Sequence, residues 1–142
     1  MNGSHVIDVL NRLLAIEYRS LPMYLKDAPP WTDAGDERAS RTLEQMIADQ
    51  ETMAERIADL VLERGGQPDP GLPRIEFADL NFLSLEFLLG ELAQLLRQDI
   101  AAIENCVAEL AGDPVAQSLA QEVLGTERGH LENLEELIRQ PA

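Results

Sequence analysis

The sequence predicts an all-α protein: a four-helix bundle of two helical hairpins, joined by a long crossover between the second and third helices. Three observations carry that expectation. Apolar residues recur at helical spacing in four separate stretches. Aromatic residues make up 4% of the chain against 45% hydrophobic residues overall, so the core rests on Leu, Ile, Val and Ala, which favours helices. A Pro- and Gly-rich run, GGQPDPGLPRIEFADL, separates the first two helical stretches from the last two. At 142 residues the chain is sized for one domain spanning positions 1–142.

The first predicted helix starts near Ser4, a fair N-cap, and ends before Pro29-Pro30. Its apolar face reads Val6, Leu10, Leu13, Leu14, Leu21 and Tyr24, and Glu17 lies inside that stripe. Pro22 removes a backbone donor and crowds the carbonyl of Tyr18, so a kink or break is expected shortly after Glu17. The loop through Gly35 carries Trp31, expected to act as a lid on one end of the bundle. The second helix should run from about Asp36 to Arg64 and stop at Gly65-Gly66. Its inward face reads Leu43, Met46, Ile47, Gln50, Met53, Ala54, Ile57, Leu60 and Val61.

The Pro/Gly-rich run has no helical period and reads as an extended connection. At about 3.3 Å per residue, roughly sixteen residues span about 50 Å. A helix of some 25 residues is about 37 Å long, so the connection can travel the length of the bundle. The third helix is expected from near Asn81 to about Ala111. Leu85, Leu88, Leu89, Leu92, Leu95, Leu96, Ile100, Ile103 and Val107 make it apolar over most of its girth. Such a helix sits centrally or covers a partner subunit, so a homodimer through this surface is expected. Asp113-Pro114 supplies a cap and a first-turn proline for the fourth helix, which ends near Arg139.

Eleven basic and 26 acidic residues give a net charge of −15. That surface repels phosphate backbones and anionic lipid, so neither nucleic acid nor a membrane is an expected partner. The lone cysteine, Cys106, excludes an internal disulfide and has the spacing of a buried hydrophobe between Ile103 and Leu110. Asp8, Asn11, Arg12 and Glu17 interrupt the one candidate apolar run at the N-terminus, and a cytoplasmic protein is expected. Gly-rich phosphate loops, Cys-x-x-Cys pairs and recognisable nucleophile motifs are missing from the sequence.

The chemistry-bearing motif is Glu127-x-x-His130, on the same helical face as Val123, Leu134 and Leu137. A carboxylate and an imidazole one turn apart in a core cost free energy unless something pairs them. A metal is one such partner, and an inward Glu-x-x-His turn is the unit of four-helix-bundle carboxylate sites. Two further acids lie among apolar neighbours: Glu91 beside Leu88 and Leu95, and Asp99 among Leu95, Leu96, Ala102 and Ile103. A buried carboxylate–imidazole pair satisfied without metal is the competing reading of the same residues.

LNRLLAIEYRSLPMYL, ADQETMAERIADLVLERGGQP and above all AQEVLGTERGHLENLEELI resemble the ferritin-like superfamily, most of all bacterioferritin. The resemblance covers nearly the whole chain. It implies that Glu17 falls on the ligand of the first helix and that Glu127 and His130 fall on the pair of the fourth. Tyr24 falls on a tyrosine the family keeps near its metals. The pair expected on the second helix lands on Gln50 and Met53, a neutral amide and a thioether, which suit iron or manganese poorly. For the third helix the resemblance leaves Glu91, with Asp99 as the alternative. The chain stops about a dozen residues after His130, so a 24-subunit cage, which carries a further short helix in that family, is not expected.

The expectation is therefore a ferritin-like bundle with a reduced site. Glu17, Glu127 and His130, with Glu91 as a further candidate, would bind one iron or manganese ion, zinc being a third candidate. A full two-iron oxidase is disfavoured. The alternative is a metal-free, dimeric bundle acting as a structural or interaction module.

Overall fold

The computed structural model describes residues 3–72 and 74–140. Among them the chain is helical, with helices α1 (Gly3–Tyr18), α2 (Leu21–Asp27), α3 (Glu37–Glu63), α4 (Leu85–Glu109) and α5 (Pro114–Arg139) and a 3₁₀ turn at Ile75–Leu80. The one β-bridge among the described residues is isolated, between Trp31 and Ser84. The four long helices form a square. α1 packs on α3 and α4, and α5 packs on the same two, so α1 and α5 face each other across the diagonal. Leu10, Leu13, Ile57, Leu85, Leu88, Ile103, Leu110 and Leu134 fill the middle and are fully buried.

The first predicted helix is broken rather than kinked. Ser20 is extended, and its hydroxyl accepts from the Met23 N–H at 3.3 Å, capping a new helix. Pro22 thereby falls in the first turn of α2, where a missing N–H costs nothing. α3 ends as the sequence suggests: Gly65 takes φ +82°, and the Gly66 N–H closes back on the Val61 carbonyl at 2.9 Å.

The crossover departs from the extended chain expected of it. Ile75–Leu80 forms a 3₁₀ turn that buries Phe77 against Tyr24, with ring centroids 5.7 Å apart. Arg74 lies over the Phe77 ring, its guanidinium carbon 4.4 Å from the ring centre. α4 starts at Leu85, four residues later than the expected start near Asn81. Phe82 stands at φ 68°, which no helix accepts, and Ser84 supplies a better cap, accepting from the Phe87 N–H at 3.2 Å. Ser84→Ala should lower stability by about 1 kcal/mol, measured as a lower melting temperature with unchanged helix content.

Trp31 is not a lid. Its backbone ties the α2–α3 loop to the start of α4, through Leu83 O at 3.1 Å and the Leu85 N–H at 2.8 Å, while 59% of the residue stays exposed. At the far end of α4, Asp113 caps α5 and holds both guanidinium nitrogens of Arg64, at 2.6 and 3.0 Å. The broad apolar surface of the third predicted helix is mostly spent inside the bundle, with Leu85, Leu88, Leu92, Leu96, Ile100 and Ile103 buried. Exposed apolar side chains gather instead on the crossover and its junction with α4: Leu72, Ile75, Phe82 and Phe87.

Candidate functional site

The bundle brings acids from its diagonal helices into the core. Glu17 on α1 is 0% exposed, Glu127 on α5 is 1% exposed, and His130, one turn later, is 4% exposed. These side chains are held on rigid helical backbone, so their facing follows from the position of each residue in its apolar stripe. Gln50 on α3, 1% exposed, completes the buried polar set with Ser20, the cap of α2.

Part of the set is hydrogen-bonded. The Ser20 hydroxyl donates to Gln50 Oε1 at 2.5 Å, and the Gln50 amide donates to Glu127 Oε2 at 2.8 Å. The rest is not. Both oxygens of Glu17, Glu127 Oε1 and His130 Nε2 are buried without a hydrogen-bond partner. His130 Nε2 lies 3.0 Å from Asp49 Oδ2, without the alignment of a hydrogen bond, and 3.9 Å from Glu127 Oε1. Buried polar atoms are nearly always paired, so this many orphans in one place call for a proton, an ion or water.

The electrostatics agree. Burial pushes the Glu17 carboxyl well above the ordinary carboxylate range; the charge of Glu127, the hydrogen bond a protonated Glu17 would give it, and the charge of Asp99 add to it. As two carboxylates, Glu17 and Glu127 have no donor between them, and one shared proton would supply it. Asp99 on α4 is pushed up to about 7, first by burial and then by Glu127, with Arg74 opposing.

Four other residues named from the sequence stand as follows. Glu91 is half-buried, and among the described residues no hydrogen bond or ion pair joins it to Glu17, Glu127 or His130. Asp99, the alternative, is the α4 acid whose charge acts on Glu17 and which feels Glu127 in return. Tyr24 is drawn away to the crossover, where its hydroxyl donates to Asn81 Oδ1 beside Phe77. Met53 is half-buried at the edge of α3, its sulfur 3.9 Å from an Arg56 nitrogen, so the fully inward face given by the periodicity is corrected to a marginal one. Sequence reasoning missed Ser20 and Asp49. The Ser-x-Pro spacing marks Ser20 as a cap, but nothing local indicates that its hydroxyl reaches Gln50, 30 positions away. Asp49 lies one position before Gln50 on a helix edge, and only the packing of α3 against α5 brings it to His130.

Among the described residues, no three His, Cys, Asp or Glu side chains converge closely enough to hold a metal ion in this conformation. The orphaned atoms nevertheless suit one. The 3.9 Å between Glu127 Oε1 and His130 Nε2 is no wider than two metal–ligand bonds of about 2.0–2.2 Å placed end to end. What stands in the way is the Gln50 amide, which supplies positive hydrogen density to Glu127 where a cation would.

A bundle of long helices with carboxylates and an imidazole projecting to its centre is the architecture of carboxylate-site helical proteins. The sequence matches the ferritin-like domain of the ferritin family over residues 7–141, and the chain belongs to that family. Its structure is similar to that of a bacterioferritin from Desulfovibrio desulfuricans, solved with its diiron site in different catalytic states. The TM-score is 0.72 at 22% identity, over 96% of this chain and 80% of that one, a likeness of fold. No curated protein matches the sequence. No helix among the described residues is long and apolar enough to cross a membrane.

Proposed function

We propose that this ferritin-like protein binds a single iron or manganese ion, with zinc as a competitor, through Glu17, Glu127 and His130. The observation that carries this reading is the set of orphaned atoms on those three buried residues. Asp99, which feels the charge of Glu127, is favoured over Glu91 as the α4 acid that would balance the charge of a bound cation. Binding requires the Gln50–Glu127 hydrogen bond to open and Glu17 to release its proton. Iron or manganese so held would supply Lewis acidity or one-electron chemistry. The residues would fix its position and exclude water.

A second metal is disfavoured by the donor set. A two-metal bundle site takes about four carboxylates and two imidazoles. This chain has two histidines, and His5 is exposed near the N-terminus. By the family resemblance, Gln50 and Met53 occupy the slots of the pair on α3. We therefore read the site as reduced relative to a two-iron oxidase.

The Ser20–Gln50–Glu127 hydrogen-bond chain favours a second reading, in which a proton shared by Glu17 and Glu127 replaces the metal for good. The bundle would then act as a structural or interaction module. A homodimer would draw on the apolar residues exposed around the crossover, Ile75, Phe82 and Phe87, rather than on the length of α4. Elemental analysis of protein purified without chelators separates the two. Stoichiometric iron, manganese or zinc that disappears in Glu127→Ala supports the first reading. Metal-free protein whose melting temperature ignores added Mn²⁺, Fe²⁺ and Zn²⁺ rejects it.

A further inference from the structure

An open, polar cavity of about 240 Å³ borders His130. The side chains around it are Arg38, Arg41, Thr42 and Gln45 from α3, and His130 and Asn133 from α5. None is apolar, so a hydrophobic ligand has nothing to bury there. Both charged side chains lining it are arginines, so a free cation is repelled at its mouth.

The arginines are two of the four basic side chains without an ion pair among the described residues, the others being Arg19 and Arg139. Seven of the 11 basic side chains form an ion pair with a carboxylate. Arg38 and Arg41, one turn apart and exposed, form none among the described residues, although the chain carries a net charge of −15. Two acids of this region are otherwise engaged. Glu37 is turned back on its own helix terminus and feels Arg41 only through its charge. Asp49 is occupied by Gln45 at 2.8 Å and by His130 at 3.0 Å. His130, 4% exposed, borders the same cavity, while its Nε2 lies 3.0 Å from Asp49 Oδ2 and 3.9 Å from Glu127 Oε1.

We propose that the cavity binds a small tetrahedral oxyanion of the phosphate class, held by Arg38 and Arg41 and touching the His130 edge. A guanidinium fork matches two oxygens of such an ion, which is the reason arginine recurs in phosphate sites. The Thr42 hydroxyl and the Asn133 amide provide further donors of neutral type. Acids more than about 8 Å away are screened at physiological ionic strength, while Asp49, 3.0 Å from His130 Nε2, opposes an anion there and has to be outweighed by the two guanidinium groups. The site uses neither Glu17 nor Glu127 and shares only the His130 ring with the proposed metal site.

The test uses the full chain, freed of metal by chelator and then desalted. Inorganic phosphate is titrated at constant ionic strength, with chloride as the control, and followed by calorimetry and by the His130 ring signals in NMR. The expected result is saturable binding of one phosphate per chain, weakened at least tenfold in R38Q/R41Q and unchanged in R97Q, an exposed arginine outside the cavity. Circular dichroism checks that each variant keeps its helix content. Non-saturable shifts, equal shifts with chloride, or full binding by R38Q/R41Q would each overturn the proposal. Because the protein is metal-free throughout, such a failure leaves the metal reading of the core standing.

Discussion

Glu17→Gln should raise the melting temperature of the chelator-treated protein at pH 7 and abolish any stabilisation by added metal. The two effects come from one side chain. Glu17 is fully buried, its oxygens lack partners, and burial together with Glu127 drives it toward the protonated form. Because its folded value lies above its unfolded one, the native state holds this proton to higher pH than the unfolded chain does, which costs stability as pH rises. Glutamine has the same shape, carries no charge, and offers Glu127 a permanent N–H donor. Relief of an unsatisfied buried group is worth about 1–3 kcal/mol. For a chain of this size each kcal/mol shifts the melting point by about 2–4 °C. The same substitution removes an anionic oxygen from the proposed metal site. Calorimetry with and without Mn²⁺ or Fe²⁺ reads both effects. A glutamine variant that is less stable in chelator, or that still gains from metal, would contradict the assignment of Glu17.

The metal-free protein should lose stability as pH rises from about 4 to about 7. Asp99 has an ordinary value of 3.8 and is pushed up to about 7 in the fold. Glu17 moves in the same direction from 4.5. Below the unfolded values both states hold their protons and nothing is lost. Above them the unfolded chain ionises first, the native state binds more protons, and stability falls until the folded groups ionise as well. For Asp99 alone the loss is on the order of a few kcal/mol, at about 1.4 kcal/mol per pH unit. Glu37 and Glu76 are lowered, and both are exposed, so they act weakly and in the opposite sense at more acid pH. General repulsion in a chain of charge −15 also grows with pH, so variants are needed to separate the causes. Urea unfolding between pH 4 and 8 should show the decline in the wild type and a shallower one in Asp99→Asn and Glu17→Gln. A wild-type profile that is flat or rising across this window would remove the basis for the protonated core.

Much of the fold was legible because helices announce themselves locally. The period of apolar residues and the caps place α3 and α5 within about a residue or two of their expected ends. Asp113-Pro114 starts α5, and Gly65 with its positive φ stops α3. The depth of Glu17, Glu127 and His130 also follows from period, since each sits inside an apolar stripe. The start of α4 was misplaced because Asn81 and Ser84 are both acceptable caps, and only the positive φ at Phe82 decides between them. The 3₁₀ turn was missed because its one buried residue, Phe77, is held by Tyr24 and Arg74 from elsewhere in the chain.

By itself, then, the sequence determined the helices, their inward faces, the class of the bundle and the presence of buried acid with a single core imidazole. Tertiary structure alone decided which of those groups meet. Asp99 rather than Glu91 enters the field of Glu127, Gln50 bonds to Glu127, Asp49 reaches His130, Tyr24 turns to Asn81, and Met53 slips to the rim. The physical reason is that a helix period fixes a side chain's direction only relative to its own axis. Contact across the bundle also depends on the rotation and axial shift of each helix, and these are set by the packing of all the others.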